Sequence, residues 1–206
     1  MEIMNQLENL KKIAKTKLAK NDPAHDFEHV MRVYRNAEKI CKTESGNKKL
    51  ILSAVLLHDI IKTKNRKDSS LKSAKLSEKI LKENNFYDDE IKIISNAIKQ
   101  HSFSKGKIPS TIEGKILQDS DRLDAIGAIG LARVFSFSGS NNRPFYDPND
   151  PFSKNRVLND NRWALDHFYE KLLTLEKKMN TKTGKNLAKK RTKILKNFLK
   201  EIKNEI

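Results

Sequence analysis

The segment KKLILSAVLLHDIIK, residues 48–62, is apolar almost all the way round when wound at helical pitch. A helix without a polar face has to be covered on every side. This one therefore sets the centre of the fold and requires several other helices around it. Its end adds a chemical constraint. The run Ala54-Val55-Leu56-Leu57 leads directly into His58-Asp59, and a carboxylate buried there alone would cost several kcal/mol or lose its charge.

Helical periodicity extends through most of the chain. Residues 3–20 read as a basic amphipathic helix ending before Asn21-Asp22-Pro23. A second runs from about 24 to 43, with Phe27, Val30, Met31, Tyr34, Ala37 and Cys41 at helical spacing. Ser69 and Ser70 offer caps for a fourth helix, to about 84. Asp88 offers one for a fifth, on which Ile91, Ile94, Ile98 and His101 share a face. A sixth is expected from near Ser110 to about 134, and helices resume at about 161–180 and 184–204. Between them, residues 136–160 are rich in Ser, Asn, Asp and Pro, and a loop of that length is usually functional or disordered. With seven Gly, five Pro and little period-two alternation, nothing supports a sheet. The expected fold class is all-α, a bundle of about eight helices.

Charge narrows the function classes. The 206 residues carry a formal net charge of +16, and 33 of the 42 basic residues are Lys. They are scattered along nearly every segment, while Arg, the residue favoured for bidentate phosphate and base contacts, is sparse. A solvated lysine surface is the reading favoured here. Nucleic acid is not expected as a partner, although the positive field would draw in small anions. The single cysteine, Cys41, excludes an internal disulfide and a cysteine-cluster zinc site. No apolar run approaches the ~20 residues of a membrane span. The opening MEIMNQLENLKKIAK has no signal-peptide core, so a cytoplasmic location without membrane attachment is expected. Monomer and homodimer both remain open.

Three separated features combine into a constellation: His29 in the second helix, His58-Asp59, and the aspartates 119, 121 and 124 in ILQDSDRLDAIGAIG. A divalent cation removes the difficulty of the buried pair, because it is the largest local charge and accepts both groups. Imidazole nitrogen with carboxylate oxygen suits Mn²⁺, Fe²⁺, Co²⁺, Ni²⁺ or Zn²⁺. Helical geometry puts Asp121 and Asp124 side by side, with Asp119 about 200° from Asp121. Asp121 is therefore the favoured ligand and Asp124 its catalytic or supporting neighbour. The string HDFEH at 25–29 also fits an inverted zinc-peptidase motif with Glu28 as base. That reading leaves the buried His-Asp pair and the aspartate block unexplained.

In order along the chain stand HDFEHVMRV, AVLLHDIIK, IKQHSF and DSDRLDAIGAIGLAR, followed by HFYEKL at 167–172. This set resembles the HD-domain metal-dependent phosphohydrolases, and most closely a small bacterial group of the YpgQ/YedJ type. The likeness runs from about residue 25 to 195, with Ser120 standing where Ala is expected. It implies a single HD-type domain over 1–206, with a signature-bearing core at about 24–135 and C-terminal helices 161–204 packed onto it. The implied metal ligands are His29, His58, Asp59 and Asp121, around one divalent ion, with Mn²⁺ favoured and Mg²⁺ among the possibilities. The implied activity is hydrolysis of a nucleoside triphosphate to a monophosphate and pyrophosphate. Alternatives are a phosphodiesterase or phosphatase acting on a signalling nucleotide or a monophosphate, and a non-catalytic basic nucleic-acid-binding helical protein.

Further roles follow as expectations. Asp124 or Asp26 would take the proton, and Lys62 and His101 would neutralise phosphate charge. His101 has the alternatives of an extra metal ligand or a core histidine. The anionic substrate would also meet His25, Arg122, Arg133, Arg143 and Tyr146, the last two from the long loop, where Phe145 and Tyr146 would stack on a base.

Overall fold

A computed structural model of the chain describes residues 2–19, 26–61, 63, 66–102 and 106–206. These contain nine α-helices, two short 3-10 turns and no strand. The helices are α1 Glu2–Leu18, α2 Phe27–Ile40, α3 Lys48–Leu57, α4 Arg66–Glu83, α5 Asp88–Gln100, α6 Ile112–Asp124, α7 Gly127–Ser140, α8 Ala164–Glu170 and α9 Lys182–Glu205. Two compact units divide the chain, Met1–Asp121 and Arg122–Ile206, with the boundary inside α6.

In the first unit α3 is the central helix, as its sequence requires. Residues 50–58 are all buried, and α1, α2, α4 and α5 pack against it. Each large aliphatic side chain sequestered in this way contributes about 1.5–3 kcal/mol. Asn47 caps α3 by accepting from Leu50 N at 3.3 Å. The helix ends at Leu57, five residues before the expected end, because His58 takes over the capping of its last turn. α4 begins at Arg66, ahead of the expected serine caps. Ser69 and Ser73 instead accept from Thr63 N and Ile61 N, at 3.0 and 3.1 Å, and so fasten the segment that follows Asp59. At α5 the N-cap is Tyr87, whose backbone N–H donates to Glu90, while Asp88 lies in the first turn.

In the second unit the expected helix 110–134 is interrupted. Ala125 N and Ile126 N bond back to Arg122 O and Leu123 O, closing α6. Gly127 has φ +82, which a side chain would strain, and opens α7. α7 continues to Ser140, so the first residues of the predicted loop are helical. The rest of the loop is held by Asp166. Its carboxylate accepts both guanidinium arms of Arg156, at 2.5 and 2.8 Å, and Asn159 N at 2.7 Å. The expected helix 161–180 is the short α8 followed by 3-10 turns at Leu172–Thr174 and Glu176–Lys178. Phe135, Phe168 and Phe198 pack with ring centroids 5.6–6.2 Å apart and anchor α7, α8 and α9.

Candidate metal centre

The first unit gathers five donor side chains from four helix ends. His29 lies in the first turn of α2, where Asp26 is the N-cap and accepts from His29 N at 2.8 Å. That bond fixes the backbone from which the imidazole projects. His58 caps α3 and His101 caps α5, in the same manner. Nδ1 of His58 lies 2.7 Å from Val55 O, and Nδ1 of His101 lies 2.6 Å from Ile98 O. A carbonyl only accepts, so in both rings Nδ1 carries the proton and Nε2 presents a lone pair. Each ring also satisfies a carbonyl that the helix end would leave orphaned.

The Nε2 atoms converge on two carboxylates. His29 Nε2 is 3.6 Å from Asp121 Oδ1, His58 Nε2 is 3.8 Å from Asp59 Oδ2, and His101 Nε2 is 3.8 Å from Asp59 Oδ1. The rings of His29 and His58 have centroids 5.6 Å apart, and those of His58 and His101 are 5.1 Å apart. Two sets of donors lie within 4.8 Å of one another, His29-His58-Asp121 and His58-Asp59-His101, and they share His58. The three imidazoles are buried, while the Asp59 and Asp121 side chains keep 27% and 29% of their exposure and form the open side. Burial pushes the His101 imidazole below its ordinary pKa, and His58 beside it adds to the effect, against the opposing pull of Asp59 and Asp121.

These residues fit a divalent cation on a feature of their own. Nε2 of His58 is fully buried and has no hydrogen-bond partner. A buried lone pair left unsatisfied costs about 1–3 kcal/mol, and here it points among carboxylates and other imidazoles. A nitrogen–oxygen set with an open side suits a first-row divalent metal that retains exchangeable positions.

The other predicted residues divide by location. Ser120 stays away from the cluster, its hydroxyl turned back to Ile116 O at 2.6 Å. Its carbonyl accepts from Asn36 Nδ2 at 3.1 Å, a contact that sequence reasoning missed. Asp119 is fully buried. His25 and Lys62 lie outside the described residues. Asp124, Arg122, Arg133, Arg143 and Tyr146 belong to the second unit. There Asp124 is buried and accepts from Arg133 Nη1 at 2.8 Å. Arg122 donates to Lys178 O, and Arg143 donates to Ser138 Oγ and Asp160 O, contacts that brace the unit's own backbone. Tyr146 is half-buried, and the exposed Phe145 sets its ring edge-on to Phe135 with centroids 5.0 Å apart.

An all-helical bundle with His, His-Asp and Asp converging from separate helices defines a metal-dependent hydrolase of the HD class, and a match to the HD domain covers residues 26–126. The chain is 32% identical to the Bacillus subtilis protein YpgQ, over 100% of its own length and 96% of the relative's. Its structure is similar to that of Bacillus subtilis YpgQ in complex with ADP, with a TM-score of 0.80 and 29% identity over 100% of this chain and 97% of that one. An HD-superfamily hydrolase from Bacillus thuringiensis matches with a TM-score of 0.78 and 32% identity, over 98% of this chain and 97% of the other. The chain belongs to the HD-domain family of metal-dependent phosphohydrolases. No helix among the described residues is long and apolar enough to cross a membrane.

Proposed function

We propose that this protein is a nucleoside triphosphate pyrophosphohydrolase that works with one divalent cation, Mn²⁺ for preference, held by His29, His58, Asp59 and Asp121. The observation that carries the reading is the orphaned Nε2 of His58 at the meeting point of these side chains. The ADP complex of the YpgQ relative supports a nucleotide as the ligand.

A cation in this place supplies a Lewis acid for a phosphoryl oxygen and lowers the pKa of water near neutrality. The chain's own contribution is orientation and charge. The Val55 and Ile98 carbonyls hold two imidazoles in the tautomer that offers Nε2 inward. Asp59 and Asp121 stand at the open side, where the anhydride has to arrive. Asp26 acts by fixing the first turn of α2 and with it His29. His101, 3.8 Å from Asp59, lies where it can donate to a phosphate once protonated or take a place as a further ligand.

His58→Ala and Asp59→Ala should each lose the bound metal and lower hydrolysis of deoxynucleoside triphosphates by about a hundredfold or more. Metal content by elemental analysis and product chromatography read both effects. Full metal content with undiminished turnover in either variant would end the proposal. Orthophosphate released from monophosphates while triphosphates stay intact would make the enzyme a phosphatase instead.

A further inference from the structure

Nothing in the metal centre uses α9, yet α9 concentrates the charge of the chain. It carries eight lysines and Arg191 against only Glu201 and Glu205. Scattered in sequence, these lysines come into line once the helix forms. Lys182, Lys185, Lys189, Lys193, Lys196, Lys200 and Lys203 recur at steps of three or four and are all exposed. At ~100° per residue they fall within a strip about 80° wide, running about 32 Å along the helix. Among the described residues none of the seven pairs with a carboxylate within 4 Å. Like charges at these steps oppose helix formation, so the arrangement works against the helix that bears it. α4 shows the contrast. There Lys72, Lys75, Lys79 and Lys82 have the same steps but alternate with Glu78 and Glu83, and Lys79 approaches Glu83 at 3.9 Å.

We propose that the lysine strip of α9 is a docking surface for the phosphate backbone of a nucleic-acid duplex, bound without regard to base sequence. A duplex presents one negative charge per ~1.7 Å of axis, so a strip of this length meets a continuous series of phosphates. Lysines act as point charges that position a backbone and do not read base edges. The flank of the strip is Asn186, Asn197 and Asn204, with no exposed aromatic on which unpaired bases would stack. A membrane surface fits less well. The apolar ridge of α9, including Ala188, Leu195 and Leu199, is buried within the protein, leaving Ile194 as a lone exposed large apolar side chain of the helix, too little apolar surface to enter a bilayer.

The test uses the full chain, two 20-bp DNA duplexes of unrelated sequence, and vesicles containing phosphatidylserine. Anisotropy titrations should give equal affinity for both duplexes, and a slope of log K against log salt of about −4 to −6. K185Q/K189Q/K193Q/K196Q should weaken duplex binding at least tenfold and flatten the slope by about 3 to 4, with triphosphate hydrolysis unchanged. The matching arginine variant, K185R/K189R/K193R/K196R, should still bind. Each of three results overturns the proposal: no duplex binding by the unaltered protein at 50 mM salt, binding to vesicles but not to duplexes, or equal weakening by K72Q/K75Q/K79Q/K82Q on α4. The first two are read on the unaltered chain and hold whether or not a variant folds.

Discussion

Asn36 lies two helical turns beyond His29, buried on α2, and its amide holds the carbonyl of Ser120, the residue before Asp121. One helix therefore supplies a side chain of the proposed metal centre and also fixes the backbone beside another. Asn36→Ala should weaken divalent-metal affinity by about tenfold, read by calorimetric titration. It should also cost about 1–3 kcal/mol of stability, because the Ser120 carbonyl is left buried without this donor. Unchanged metal affinity beside a lowered melting temperature would reduce Asn36 to a packing role. His29, His58-Asp59 and Asp121 were visible in the sequence as ionisable groups on helices otherwise destined for the interior. Asn36 carried no such mark, since a lone asparagine within a helix reads as solvated. The partners of Arg122, Arg133 and Arg143 were equally hidden, because spacing along the chain fixes a helix face and not what it meets.

Helix boundaries depend on backbone details that periodicity smooths over. The pattern of DSDRLDAIGAIGLAR fits one helix, yet the chain closes α6 at Asp124 and opens α7 at Gly127. The glycines explain the break. A Cβ on Gly127 would meet Arg191 Cγ at 3.1 Å on top of its positive φ, and a Cβ on Gly130 would lie 2.2 Å from Ala125 O. The second clash is with backbone, which cannot swing aside as a side chain does. Gly130→Ala should therefore destabilise the protein by about 2 kcal/mol or more, measured by denaturant unfolding. A neutral result would mean that the turn between α6 and α7 yields easily. Apolar periodicity did locate α1, α2 and α9 to within about three residues, and the starts of α3 and α5. It overextended the helix before α9, where 3-10 turns follow α8.

At the scale of the whole molecule, acid should weaken the fold in part through the second unit, alongside the buried His101 of the first. His167 donates through Nδ1 to Asp160 at 2.8 Å, with Lys171 and Arg143 nearby. Burial is the main cause holding its pKa below the ordinary value, the attraction of Asp160 notwithstanding. The unfolded chain thus binds more protons than the folded one below about pH 6.5. This part of the stability is complete above that value and fades as pH falls through the folded-state pKa. Melting temperatures recorded from pH 7.5 to 5 should decline, and His167→Gln should flatten the decline. Burial also raises the Asp160 carboxyl, but its bonds to Lys171 and His167 outweigh that and hold it low, so further loss follows only in stronger acid. The capping of α3 and α5 by their own histidines has a broader consequence. Each lone pair is aimed only while the last turn behind it stays wound, so a chain that has not finished coiling has no nest to offer. In the proposed centre, capture of an ion by His58 would then certify completed folding, issued where α3 stops.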